Sequence, residues 1–217
     1  MLKKEKNNNL NTRISIIVGV ISILFGIILL SSNYINSKVL KAYNNMNLQI
    51  LALDNIELEE KEEETITKEE TSTKETTNKT KVEYKYISKL IIEKINLKQG
   101  LVSYNSKYNN VEYNIQTLKG SSYPTKENSN LILASHSGSS SISYFKNLYK
   151  LQVNDEIKLE YKDKTYIYKI NNIYTKPKTG NIAIYRDYDK TTLTLITCTR
   201  NNNKKQTVYI AYLESIE

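Results

Sequence analysis

The sequence has one cysteine, one histidine and no tryptophan, and phenylalanine occurs only twice. A single cysteine cannot form an internal disulfide, so no disulfide framework holds this chain together. One thiol and one imidazole are also too few for a Cys/His zinc site, and neither a metal nor any other cofactor is expected. Ser135, Ser137 and the SGSSS stretch lack both a GxSxG turn and a second histidine, which argues against a serine nucleophile. No internal repeat is visible. Arginine is scarce as well, at positions 13, 186 and 200 alone, so the net charge of +8 comes almost wholly from lysines dispersed singly along the chain. Base reading relies on arginine and on clustered charge, so a nucleic-acid partner is not expected. A basic domain beside an anionic membrane or wall polymer fits the charge equally well.

What is present falls into three zones. Residues 14–30 read ISIIVGVISILFGIILL, uncharged and interrupted only by Ser15 and Ser22. Extended to Ile35, the run reaches the roughly 20 residues that span a bilayer core. Lys3, Lys4, Lys6 and Arg13 precede it and favour a cytoplasmic N-terminus, although Lys38 and Lys41 follow it. A cleaved signal peptide would have a shorter apolar region and a small-x-small site, which Ser31-Ser32 imitates poorly. The expectation is a retained transmembrane anchor over residues 14–35, with residues 1–13 in the cytoplasm. Residues 36–83 form the second zone: apolar positions near helical spacing at Leu40, Tyr43, Leu48 and Leu51 predict a juxtamembrane helix, and ELEEKEEETITKEETSTKETTNKTK predicts a charged stalk.

The third zone, residues 84–217, has the texture of a small β domain. YISKLIIEKINL predicts a first strand and LVSY a second after Gly100. NLILASH is a continuous apolar run ending at His136, as in a strand buried on both faces. ISYFKNLYKL, residues 142–151, has Ile142, Phe145, Leu148 and Tyr149 at the spacing of a short amphipathic helix. DEIKLEY and TYIYKINNIY alternate around a KDK turn and predict a hairpin. TTLTLITC predicts a strand ending at Cys198, the polar TRNNNKK a loop, and QTVYIAYL the closing strand. Seven or eight strands with one or two short helices predict a mainly β fold, a closed or nearly closed barrel.

His136 and Cys198 both end apolar strands and open into polar segments, where functional groups gather. An ordinary thiol is only about 3% thiolate at neutral pH, and a neighbouring imidazole can take its proton and later give one to a leaving amine. A lone cysteine is also often a small buried hydrophobe, and a lone histidine a satisfied polar residue. The residues by themselves leave both readings open.

TLTLITC resembles the TLxTC signature of the sortases, and NSNLILASHSG resembles the segment carrying their histidine. The course from SYFKNLYKLQVNDEIKLEYKDKTYIYKI is similar to theirs too. Class B or D is the nearest in character. The resemblance implies a sortase β-barrel acting on the outer face of a bacterial membrane. It implies cleavage of an LPxTG-like sorting signal through a thioester on Cys198, with His136 as the acid/base. An amine of a peptidoglycan precursor or a pilin would accept the acyl group. The family's arginine, on the strand after the cysteine, corresponds here to Gln206; Arg200 is expected to take the oxyanion role from a shifted position, with Gln206 as the alternative, and Arg186 lies in the preceding loop. Thr197 and Ser135 are expected along the substrate groove. Some sortases bind calcium through acidic loops, for which Asp187 and Asp189 are too sparse. The competing expectations are a cysteine peptidase that uses water as acceptor, and a non-catalytic surface binding module on a sortase-like barrel.

Overall fold

The computed structural model describes residues 16–27, 34–35, 38–39, 42, 44–49, 51 and 85–217. The chain divides into two units, Met1–Tyr43 and Asn44–Glu217. In the first, residues 16–27 are helical with their apolar side chains largely exposed. Among the described residues no helix is long and apolar enough to cross a membrane. Much of the expected anchor over 14–35, and the charged stalk from residue 52 onward, lie outside the described residues.

The second unit contains eight strands: β1 (Tyr86–Ile92), β2 (Leu97–Val102), β3 (Gln116–Thr117), β4 (Asn130–Ala134), β5 (Glu156–Tyr161), β6 (Lys164–Pro177), β7 (Thr192–Thr199) and β8 (Asn202–Ile216). They form one sheet in the order β2-β1-β5-β6-β8-β7-β4-β3. Every neighbouring pair is antiparallel except β4 and β7. This is the expected mainly β, nearly closed barrel. The edges β2 and β3 are bridged by side chains. Asn114, just ahead of β3, donates from Nδ2 to Gly100 O at 3.0 Å and accepts at Oδ1 from Gln99 Nε2 at 2.9 Å. Both side chains are buried, so their polar atoms need these partners.

Alternation along the strands sorts the side chains into two clusters. Leu131, Leu133, Leu193, Leu195, Tyr209 and Ala211 point into the barrel and join Leu90, Leu101, Leu159 and Tyr168 in the main core. Ile132, Ile196, Val208 and Ile210 point outward, yet they are buried too, beneath Leu118, Ile182 and Ile184. Leu118 follows β3, and the segment between β6 and β7 supplies Ile182 and Ile184. It is pinned by Tyr174, whose hydroxyl donates to Ala183 O and accepts from Tyr185 N, each at 2.9 Å. β4, β7 and the middle of β8 are therefore sandwiched on both faces, as the unbroken apolar run of NLILA required.

Several local expectations need correction. YISKLIIEKINL is not one strand: Glu93–Ile95 form a 3₁₀ turn and Asn96 adopts φ 52°, a left-handed conformation that Asn tolerates, so the chain doubles back and β2 begins at Leu97. Gly100 lies inside β2, where the ring of Tyr86 packs so closely that an added Cβ would come within 2.0 Å of it. Residues 142–151 do not form an amphipathic helix; only Leu148–Lys150 make a 3₁₀ turn. The donor that an α-helix would use at Phe145 is taken by His136 O at 3.1 Å, and the chain proceeds by i to i−3 turns. Phe145 and Leu148 are still buried. TRNNNKK is not a loop, because Arg200 and Asn201 alone form the turn, with Asn201 at φ 60°, and β8 starts at Asn202. The KDK turn matches expectation: Lys162 and Asp163 have φ of 48° and 57°, the pair of positive angles that suits a tight hairpin.

The core has a titratable component. Burial pushes the hydroxyl of Tyr209 up to about 12 and that of Tyr168 higher still, with Tyr123 and Tyr166 raised for the same reason. An unfolded tyrosine ionises near pH 10. Above that pH the unfolded chain loses protons that the folded chain retains, so stability is full below pH 10 and declines as the pH rises toward 12. Urea midpoints should fall between pH 9 and pH 11, with a shallower fall in the double variant Tyr168→Phe/Tyr209→Phe; a pH-independent midpoint would contradict this burial.

Candidate active site

β4 and β7 run parallel with a constant separation of 62 residues, from Asn130 opposite Thr192 to Ala134 opposite Ile196. The pair is tied at both ends. At the start, Thr194 Oγ1 donates to Asn130 Oδ1 at 2.9 Å, and the Arg186 guanidinium bonds Asn128 O at 3.3 Å and Lys190 O at 3.1 Å. At the finish, Ser135 N donates to Ile196 O at 3.3 Å, and Thr197 Oγ1 to Ser135 O at 2.8 Å. One residue further, the same register sets His136 beside Cys198. Neighbouring strands lie about 4.8 Å apart, so two side chains distant in sequence become lateral neighbours.

Alternation decides which face they share. His136 follows Ile132 and Ala134 on the outer face, and Cys198 follows Ile196. Past the apolar cluster this face opens into a cleft of about 860 Å³ lined by His136, Ser137, Lys146, Tyr149, Cys198 and Arg200, among others. That volume lies within the usual range for ligand sites. The cysteine is partly exposed, and the histidine side chain is 40% accessible. The thiol and the imidazole thus line one solvent-open cleft.

Thr197 and Ser135 sit differently. Alternation turns Thr197 away from Cys198 and into the interior, and both residues are buried, at 6% and 5% exposure. Neither lines the cleft, and their mutual hydrogen bond instead clamps the strand ends that carry Cys198 and His136. Arg200 does line the cleft, with its guanidinium 3.9 Å from the centre of the Tyr149 ring, a cation–π contact. Gln206 is paired directly with Cys198 across β7 and β8, and its Oε1 is buried without a hydrogen-bond partner among the described residues. Arg186 is committed to backbone carbonyls at the far end of the β4–β7 pair. Among the described residues no group of three His, Cys, Asp or Glu could hold a metal ion.

Two neighbours went unnoticed in the sequence, and a third was given another place. Glu112, between β2 and β3, places Oε1 3.1 Å from His136 Nε2; with its side chain 63% exposed this pair is worth at most about 1 kcal/mol. Lys178 Nζ lies 3.9 Å from Cys198 Sγ. Tyr149 supplies the ring under Arg200. No sequence signal marks the first two, because Glu112 reaches back from the segment between β2 and β3 and Lys178, just past β6, is brought near by strand order; Tyr149 was noticed only as a helix-face residue.

A thiol and an imidazole at the end of a β-barrel, lining one open cleft, are the groups of a cysteine acyl-transfer enzyme. The sortase domain family matches residues 90–214, more than half of the chain, and the chain belongs to the sortase family. Among solved structures it is similar to a Clostridium perfringens sortase D5 transpeptidase, with 30% identity over 60% of this chain and 80% of that one and a TM-score of 0.51. A lid mutant of Corynebacterium diphtheriae sortase A shares the fold at 22% identity, covering 63% of this chain and 74% of that one, with a TM-score of 0.55. So does a C. perfringens sortase C solved with the C-terminal cell wall sorting motif, at 23% identity over 61% and 72%, with a TM-score of 0.53. No curated protein matches the sequence. Sortases are cysteine transpeptidases, and this chain is an enzyme of that type with Cys198 in its cleft.

The clamp can be tested separately from the chemistry. Thr197→Val keeps the side-chain volume but strands Ser135 O, so it should cost about 1 kcal/mol in urea unfolding and slow turnover with Cys198 still present. Unchanged stability and turnover would show that the clamp does not position the site.

Proposed function

We propose that Cys198 is the nucleophile of a surface-protein transpeptidase and that His136 is its acid/base. The enzyme cleaves an LPxTG-like sorting signal after its threonine, holds the acyl group as a thioester on Cys198, and passes it to an amine of a peptidoglycan precursor or a pilin. The observation that carries this reading is the shared register that brings Cys198 and His136 side by side on the outer face of the β4–β7 pair. The thiol proton passes to His136, the thiolate attacks the carbonyl carbon, and the imidazolium protonates the departing amine. Arg200, at the rim of the cleft, donates to the substrate carbonyl, and Gln206, opposite the sulfur, is the alternative donor. Thr197 and Ser135 serve the substrate groove by holding its floor in register. The 30% identity to the D5 enzyme favours class D.

Purified 217-residue chain in detergent, given a fluorogenic sorting peptide and an amine acceptor, should form ligated product. Cys198→Ala should abolish it, and His136→Ala should lower it about 10²–10⁴-fold. Cleavage indifferent to acceptor would point to a peptidase, and inertness of the parent across a peptide library to a binding module.

The same proposal includes placement. Residues 14–35 anchor the chain as a single span with its N-terminus in the cytoplasm and the catalytic domain outside. The uncharged run and the lysines ahead of it support this. Protease added to intact cells should remove the domain and spare an N-terminal tag; a domain protected until lysis would refute the orientation.

A further inference from the structure

We infer that Lys178 supplies a second positive charge, beside the Arg200 or Gln206 donor, that stabilises the acyl-transfer transition state at Cys198, an assignment that rests on reading Cys198 as the nucleophile. β8 lies between β6 and β7, and the register sets Cys198, Gln206 and Lys176 in one row across the three strands. Paired residues share a face, and alternation returns to that face two residues on, at Lys178. The backbone there is fixed, because Lys178 N donates to Lys204 O at 2.8 Å in continuation of the β6–β8 ladder. Its side chain reaches past β8, and Nζ comes to 3.9 Å from Sγ.

Lys146 and Arg200 also line the cleft, but among the described residues neither bonds the sulfur. Arg200 lies over the Tyr149 ring at 3.9 Å, and Lys176 over the Tyr185 ring at 4.7 Å. Arg186 holds carbonyls at the opposite end of β4 and β7. Gln206 stands directly opposite the cysteine but is neutral. Among the described residues, the sulfur is the one polar contact of the Lys178 ammonium.

During attack the thiol proton goes to His136, the sulfur bonds the carbonyl carbon, and the C=O π pair moves onto oxygen. That oxygen sits on the carbon next to the sulfur, so an ammonium already 3.9 Å from Sγ can reach the roughly 2.7–3.1 Å at which a donor stabilises an oxyanion. When the oxyanion collapses, the C=O re-forms, the C–N bond breaks, and the departing nitrogen takes the proton from His136. Lys178 keeps its own proton throughout. A charged donor strengthens such a bond about twofold over a neutral one, which Gln206 cannot match by itself.

Two measurements on the whole chain test this. The first compares alkylation of Cys198 by anionic iodoacetate and neutral iodoacetamide, and needs no enzymatic turnover. A unit charge about 4 Å away changes the rate ratio about fivefold even in water. Lys178→Met should lower the iodoacetate-to-iodoacetamide ratio by about that factor, while Lys178→Arg should preserve it. The second is peptide ligation: Lys178→Met should lower kcat about 10²-fold with KM nearly unchanged, and Lys178→Arg should recover most of the loss. An unchanged alkylation ratio in Lys178→Met would overturn the inference, as would a lowered ratio with parental kcat. A parent inert toward every peptide would overturn the transpeptidase reading itself, and the alkylation ratio would still decide whether Lys178 sets its charge on the sulfur.

Discussion

The parallel pairing of β4 with β7 is the constraint on which the site depends. Parallel neighbours cannot be joined by a hairpin, so a long crossover separates them, and here it contains a 3₁₀ turn and the β5–β6 hairpin. The pairing is buried on both faces: Leu131, Leu133, Leu193 and Leu195 fill the barrel, and Ile132 and Ile196 lie under the β6–β7 segment. Burying one such side chain is worth about 1.5–3 kcal/mol. A slip of one residue would exchange the two faces and expose several of them. The core thus fixes the register, and the register sets His136 next to Cys198.

Polar contacts refine what apolar burial sets. Thr197 holds Ser135 at the active end, while Thr194 and Arg186 hold the other end. Both termini of the pair are thus tied by side chains. Beyond them the chain leaves the sheet at once. Phe145 N captures His136 O and returns the SGSSS segment to the core through buried Phe145.

The electrostatics of the cleft are asymmetric. An exposed carboxylate, Glu112, meets the imidazole, whereas lysine and arginine gather around the sulfur side. The exposed pair at His136 is weak, and the Lys178 ammonium stands 3.9 Å from Sγ. The neutral Gln206 in the row between Cys198 and Lys176 gives a lysine from the adjoining strand room to act there.

Much of this was legible in the amino-acid order itself. Period-two alternation marked β5 to β7, the unbroken run NLILA marked a strand buried on both faces, and the polar stretches after His136 and Cys198 marked both as strand ends. These are local properties, set by side-chain chemistry within a few residues. The 3₁₀ turn at Glu93, the lost helix near Phe145 and the tight turn at Arg200 were not legible, because in each case a backbone angle or a distant hydrogen-bond partner overrode local pattern. The inward turn of Thr197 and the approaches of Glu112 and Lys178 depend on which strands are neighbours and in what register. Only tertiary packing decides that, since the energy that selects one register is summed over side chains far apart along the chain.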